Sequence, residues 1–157
     1  MKTGIYIGTS VIGGCEDKEF KEFSQRLIDS FSKGDFILVL SDLTIRELEK
    51  SPPGIRSIIR DIPDVFMEIV SLSDDDVELA KSYIQNGVIG NRYIVESQHI
   101  AIATVERVDV LVSWNFKHIV NLFKIRGYNA VNLRFGYPVI EIRTPREVLE
   151  DESKEKI

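Results

Sequence analysis

Ile94–Asn121 reads IVESQHIAIATVERVDVLVSWNFKHIVN, and the order of patterns within it decides the fold. It opens with a helical pattern, passes a tight connection, enters a buried strand and leaves through a polar loop. Glu96, Ile100, Ala103 and Arg107 share one helical stripe, with His99 one turn above Glu96. Ile100, Ala101, Ala103 and Thr104 form a face of small residues that lets such a helix lie close on a sheet. Val110–Val112 is a short run of branched apolar residues, as a parallel strand covered on both faces requires. Ser113, Trp114, Asn115, Phe116, Lys117 and His118 follow at its carboxyl end, where an open parallel sheet forms its ligand crevice. A carboxylate, Glu96, and a polar loop are therefore expected to point at one place.

Working outward, Ile5–Ile7 is expected as a first buried strand that stops at Gly8, followed by a Thr9–Gly14 loop over the sheet edge. Phe20, Phe23, Leu27, Ile28 and Phe31 recur at helical spacing between Asp17 and Phe31, and Lys33-Gly34 ends that helix. Phe36–Leu40 reads as a second strand; Ser41-Asp42 then opens a helix through Thr44, Glu47 and Leu48, which Pro52-Pro53-Gly54 halts. A short helix over Ile55–Ile62 and a strand over Val65–Val70 follow. Ser73 with Asp74, Asp75 and Asp76 caps a helix running to Gln85; acids there complement the helix dipole rather than mark a metal site. Beyond the opening stretch, a helix from Ile119 into Arg126 and a last strand at Val139–Ile142 are expected. Thr144-Pro145 would then cap a final turn before a charged, frayed tail over 151–157. Strands alternating with helices over residues 1–150 predict a single α/β domain. Its architecture is a three-layer α/β/α sandwich on a central parallel sheet of four to five strands.

A chain of 157 residues with 43% apolar and 29% charged residues is an ordinary globular domain. No apolar run approaches the roughly 20 residues that cross a bilayer, and the start of the chain lacks the pattern of a signal peptide. Cys15, the only cysteine, excludes an internal disulfide, fits a reducing cytoplasm, and is expected as a loop residue rather than a nucleophile. The net charge of -5 argues against a bulk polyanion binder. Asn91–Arg146, however, carries eight basic and four acidic residues, a local +4 that could face a phosphate backbone or simply a solvated helix surface.

Three places converge on the expected sheet edge: the Gly8-Thr9-Ser10 turn, Glu47, and the pair formed by Glu96 and Asn115. Carboxylates gathered there repel one another unless a cation sits among them, and hard oxygen donors suit Mg²⁺ or Mn²⁺ rather than Zn²⁺. Such an ion supports phosphodiester hydrolysis. No Cys/His cluster, Ser-His-Asp order or glycine-rich phosphate loop is present. Each candidate has a plain reading beside the functional one. Glu47 can be an exposed helix acid, and Glu96 a helix partner of His99 or a cap. His99 reads as a satisfied inner-helix residue, Trp114 as packing, and Thr9 and Ser10 as loop supports. Lys117, Lys124 and Arg126 are surface charges unless the crevice binds RNA.

YIGTSVIGG, SDLTIRELEKSP, ESQHIAIATVERVDVLVSWNFKHIVN and FGYPVIEIRTPREVL together span Ile5 to Leu149. In this order they resemble the PIN-domain family in its VapC-like toxin branch. The resemblance implies a cytoplasmic, metal-dependent endoribonuclease that acts on RNA, pairs as a homodimer and is held inactive by an antitoxin protein. It places metal ligands at Glu47, at Glu96 (commonly Asp, three residues before the helix histidine) and at Asn115, often Asp. Its first acid, directly before Thr-Ser, falls on Gly8. Loss of one carboxylate implies a site weakened by at least about 10–100-fold. Three explanations stand open: a non-cleaving member, a substitution introduced to remove toxicity, or replacement by Glu16 or Asp42. The rival reading is a non-catalytic module that keeps the fold to bind RNA or an antitoxin.

Overall fold

The structure is a computed structural model that describes residues 2–155, with side-chain surroundings through residue 150. Five parallel strands form one sheet: β1 (Gly4–Ile7), β2 (Ile37–Ser41), β3 (Met67–Val70), β4 (Val110–Val112) and β5 (Ile142–Arg143), in the order β3-β2-β1-β4-β5. The helices are α1 (Thr9–Gly14), α2 (Lys21–Ser32), α3 (Asp42–Leu48), α4 (Pro53–Arg56), α5 (Asp74–Gln85), α6 (Ile94–Val105), α7 (Leu122–Arg134) and α8 (Pro145–Glu155). The expected three-layer sandwich is what forms.

Alternation along the strands builds the two outer layers. Ile5 and Ile7 point with Leu38, Leu40, Val110 and Val112 into a core shared with Val11, Leu27, Phe31 and Leu149. Tyr6, Val39 and Leu111 point the other way, against Leu79, Tyr83, Ile100, Ala103 and Tyr128. Ile100, Ala101 and Ala103 are fully buried, so the small face of α6 does bring that helix close to the sheet. Ser73 and Asp76 form a reciprocal capping box at the start of α5, so the acid run there belongs to the helix terminus. Strand order reverses at β1: the chain adds β2 and β3 on one side, then β4 and β5 on the other. That reversal opens a crevice beyond the carboxyl ends of β1 and β4.

Several boundaries differ from the sequence expectation. Thr9–Gly14 is helix, not loop, and Cys15 caps it with its side chain buried. Burial pushes the Cys15 thiol up to about 11, so it is no nucleophile at neutral pH. The helix placed at Asp17–Phe31 begins only at Lys21, after a turn. Ile55–Ile62 divides between α4 and a 3₁₀ turn, Ser57–Asp61, and β3 starts at Met67 after a second such turn, Asp64–Phe66. After His118 the helix begins at Leu122 and runs on to Arg134, well past Arg126. The last strand is Ile142–Arg143 rather than Val139–Ile142, because only those residues pair with β4. Pro145 opens a helix that continues to Glu155 rather than a single turn, and residues 156–157 lie outside the described residues. Among the described residues no helix is long and apolar enough to cross a membrane.

Candidate functional site

A cavity of about 150 Å³ lies at the crevice beyond β1 and β4. Gly8, Thr9, Ser10, Glu47, Glu96 and Asn115 all line it, so the six positions expected at the sheet edge meet there. Three strand ends (β1, β2 and β4) and three helices (α1, α3 and α6) deliver them. β1 ends at Ile7, which puts Gly8 at the N-cap of α1; β2 ends at Ser41, whose side chain accepts from Thr44 N–H and starts the helix carrying Glu47. Glu96 stands in the first turn of α6.

The polar loop after β4 is held by its own side chains. Ser113 Oγ accepts from Asn115 N–H at 3.0 Å, and Asn115 Oδ1 accepts from His118 N–H at 3.0 Å. Ser10 Oγ accepts from Trp114 N–H at 3.2 Å and lies 3.3 Å from Ser113 Oγ, which ties α1 to β4 across the cavity mouth. Ser10 thus holds the loop after β4 rather than a loop of its own, since Thr9–Gly14 is helix. Trp114 is packing: its ring stacks on Phe20 at 4.4 Å and its Nε1–H donates to Ser24 Oγ at 2.8 Å.

His99 does not pair with Glu96 on its own helix. Its Nε2 is 2.7 Å from Glu47 Oε1, and its Nδ1 is 2.6 Å from the Tyr6 hydroxyl, which is in turn 2.8 Å from Ser41 Oγ. Tyr6, Ser41 and Thr44 are fully buried and His99 nearly so, while the Glu47 side chain keeps 35% of its exposure. Burial pushes the Glu47 carboxyl upward. The hydrogen bond and charge of His99 outweigh it, helped by the Thr9 hydroxyl and Lys50, and hold the group below its ordinary value. Thr9 is therefore tied to the carboxylate as well as to the turn. Burial foremost, then Lys117, keeps the His118 imidazole below its ordinary value, so it is neutral at pH 7.

Sequence reasoning missed the Tyr6–His99–Glu47 connection. Its only trace is a phenol in a strand otherwise aliphatic, since a buried hydroxyl needs a partner. Neither Glu16 nor Asp42 lines the cavity; Asp42 Oδ1 instead accepts from Leu72 N–H at 3.0 Å. Lys117, Lys124 and Arg126 also lie outside the cavity lining, and Lys124 Nζ is tied to Val88 O at 2.7 Å.

At Gly8 the backbone is extended, and a Cβ there would meet only the His99 ring at 3.9 Å, an ordinary contact. The position accepts a side chain; its emptiness is not forced by packing. Among the described residues no group of three His, Cys, Asp or Glu side chains is placed to hold a metal ion. The oxygen donors of Glu47, Glu96 and Asn115 suit a hard divalent cation in kind and fall short in number.

Three solved structures share this architecture. VapC20 of Mycobacterium tuberculosis, described as a Sarcin-Ricin loop cleaving toxin, superposes with a TM-score of 0.54 at 13% identity, over 72% of this chain and 91% of that one. VapBC2 of Rickettsia felis, solved with a DNA fragment from its promoter, gives 0.55 at 14%, over 90% and 98%. FitAcB of Neisseria gonorrhoeae gives 0.55 at 13%, over 90% and 97%. The fold is PIN-like. No family model matches the sequence, and no curated protein matches it either. In this PIN-like frame, the cavity beyond β1 and β4 is where the expected acid positions assemble, with one of them empty.

Proposed function

We propose that this chain is an RNA phosphodiesterase scaffold of the VapC-like toxin type, dependent on Mg²⁺ or Mn²⁺ and impaired by the absence of a carboxylate at Gly8. The observation that carries the reading is the meeting of Gly8, Glu47, Glu96 and Asn115, four segments far apart in the chain, around one small cavity. Glu47 and Glu96 would hold the ion, with Asn115 offering a neutral oxygen from its side-chain amide. When bound, a divalent ion at such a site activates water and neutralises charge developing on phosphate oxygens.

The chain's own residues have separate tasks. Glu47 stays ionised, as its lowered carboxyl requires of a cation ligand. The Ser10–Ser113–Asn115 connections fix the loop that carries the amide. Lys117 and Arg126 are exposed and would steer phosphates toward the opening. An antitoxin protein as partner, a homodimer and a cytoplasmic setting follow from the same reading.

A second reading has its own support: Glu47 is already engaged by His99, and among the described residues no third acid lines the cavity. On that reading the chain is a non-catalytic PIN-fold module that binds RNA or an antitoxin. Incubation of the protein with a structured RNA and 5 to 10 mM Mn²⁺, roughly the concentration a weakened site needs, separates the two. Slow cleavage that disappears in Glu47→Ala is expected on the first reading. Binding of RNA without cleavage, unchanged in Glu47→Ala, is expected on the second.

A further inference from the structure

We propose that Tyr6 and His99 are positioning residues for Glu47: a buried hydrogen-bonded line from Ser41 through Tyr6 and His99 fixes where that carboxylate enters the cavity. The inference rests on the cation-site reading above and deepens it, since it assigns the groups that prepare the site's best-held ligand.

The line is continuous. Thr44 N–H donates to Ser41 Oγ at 3.1 Å, and Ser41 Oγ lies 2.8 Å from Tyr6 Oη. Tyr6 Oη lies 2.6 Å from His99 Nδ1, and His99 Nε2 lies 2.7 Å from Glu47 Oε1. An ionised carboxylate only accepts, so the His99 Nε2 carries the proton in that bond. On a neutral ring Nδ1 accepts from the Tyr6 hydroxyl, and on a charged ring Nδ1–H donates to it; in both cases Nε2–H donates to Glu47. Ser41 bonds Tyr6 and accepts from the backbone of Thr44. Every group in the line has a partner in either sense.

Place in the fold supplies the rigidity. Tyr6 is in the central strand, Ser41 ends the neighbouring strand and His99 lies on the buried face of α6. A half-exposed carboxylate on the seven-residue α3 is thereby referred to the sheet itself. The same His99 ring faces the space beside Gly8, so the line also sets one wall of the cavity. Ligand-orienting partners of this sort are worth on the order of 10–100-fold in metal affinity.

The test uses the full chain with Mn²⁺ alone, followed by electron paramagnetic resonance, together with ¹⁵N spectra of the two histidine rings. His99→Leu and Tyr6→Phe should each weaken Mn²⁺ by about tenfold, while His99→Gln, which keeps a donor toward Glu47, should recover most of the loss. The His99 ring in the unsubstituted protein should show its proton on Nε2, a signature that a packing role alone does not require. Wild-type affinity in His99→Leu, no recovery in His99→Gln although it remains folded by circular dichroism, or a ring protonated on Nδ1 alone would overturn the positioning role and leave the cation site standing. Failure of the unsubstituted protein to take up Mn²⁺ would instead remove the site, and the role with it.

Discussion

Two buried tyrosines on the same side of the sheet make an instructive pair. Tyr6 and Tyr83 are both fully buried, and burial raises both phenols well above their ordinary value. Tyr83 donates to Asn132 Oδ1, Asn132 Nδ2 reaches Thr104 Oγ1 at 3.4 Å, and Thr104 Oγ1 donates to Ile100 O at 2.8 Å. That network joins α5, α6 and α7 and runs on through Asn129 to Ile140, and none of its residues lines the cavity beyond β1 and β4. The Tyr6 line runs instead toward the carboxyl ends of the strands and finishes on a half-exposed carboxylate. The chemistry of the hydroxyl is the same in both. Position relative to the strand ends leaves one network within the packing of the helices and brings the other to the cavity.

The comparison breaks if substitutions fail to separate stability from ligand binding. The largest effect is expected for Glu47→Ala: Mn²⁺ uptake falls below detection at millimolar ion, while the urea midpoint moves less than in Asn132→Ala because the Glu47 side chain is half exposed. Isothermal titration and urea unfolding on the same preparations check both halves. Asn132→Ala should do the reverse. It strips a fully buried amide from Tyr83 and Thr104 and leaves a cavity, so unfolding should cost about 3 kcal/mol less, with Mn²⁺ binding unaltered. A loss of Mn²⁺ binding in that variant would erase the distinction between the two networks.

A smaller effect sharpens the contrast through pH. Burial, only partly offset by hydrogen bonds from Ser73, holds the Asp76 carboxyl above its ordinary value. Its contribution to stability is therefore fully present below the unfolded value, about 3.9, and is lost as pH rises through the higher folded one. Glu47 has the opposite sign: its lowered carboxyl contributes above the ordinary value, and that contribution is lost as pH falls through the folded one. Urea midpoints measured across the acid range should show a component that declines with rising pH and vanishes in Asp76→Asn. A second component should decline with falling pH and vanish in Glu47→Gln.

Much of this was legible in the residues. Ile5-Tyr6-Ile7, Phe36–Leu40 and Val110–Val112 announce buried parallel strands, and Ser41 and Ser73 mark helix starts that the structure honours. Gly8, Glu47, Glu96 and Asn115 were placed together because strand ends gather at one edge, and they do line one cavity. The α1 segment was misread since Gly13-Gly14 looks like a turn. Gly14 is there for contact: a Cβ would come within 2.4 Å of Ser24 Oγ and 2.9 Å of the Trp114 ring, so α1 lies tightly against its neighbours. The last strand was misplaced because an edge strand of two residues, set by pairing with β4 alone, leaves little pattern. The His99–Glu47 contact joins residues 52 apart on different helices, and no local periodicity encodes it.

The central claim is that the cavity is a cation site lacking one acid at a position that can take it. Mn²⁺ titration of the unsubstituted chain beside Gly8→Asp tests this most directly, because a Cβ at that position meets only an ordinary contact with the His99 ring. Binding at least about tenfold tighter in Gly8→Asp is the expected result. Equal binding in the two proteins, or none in either, would contradict it.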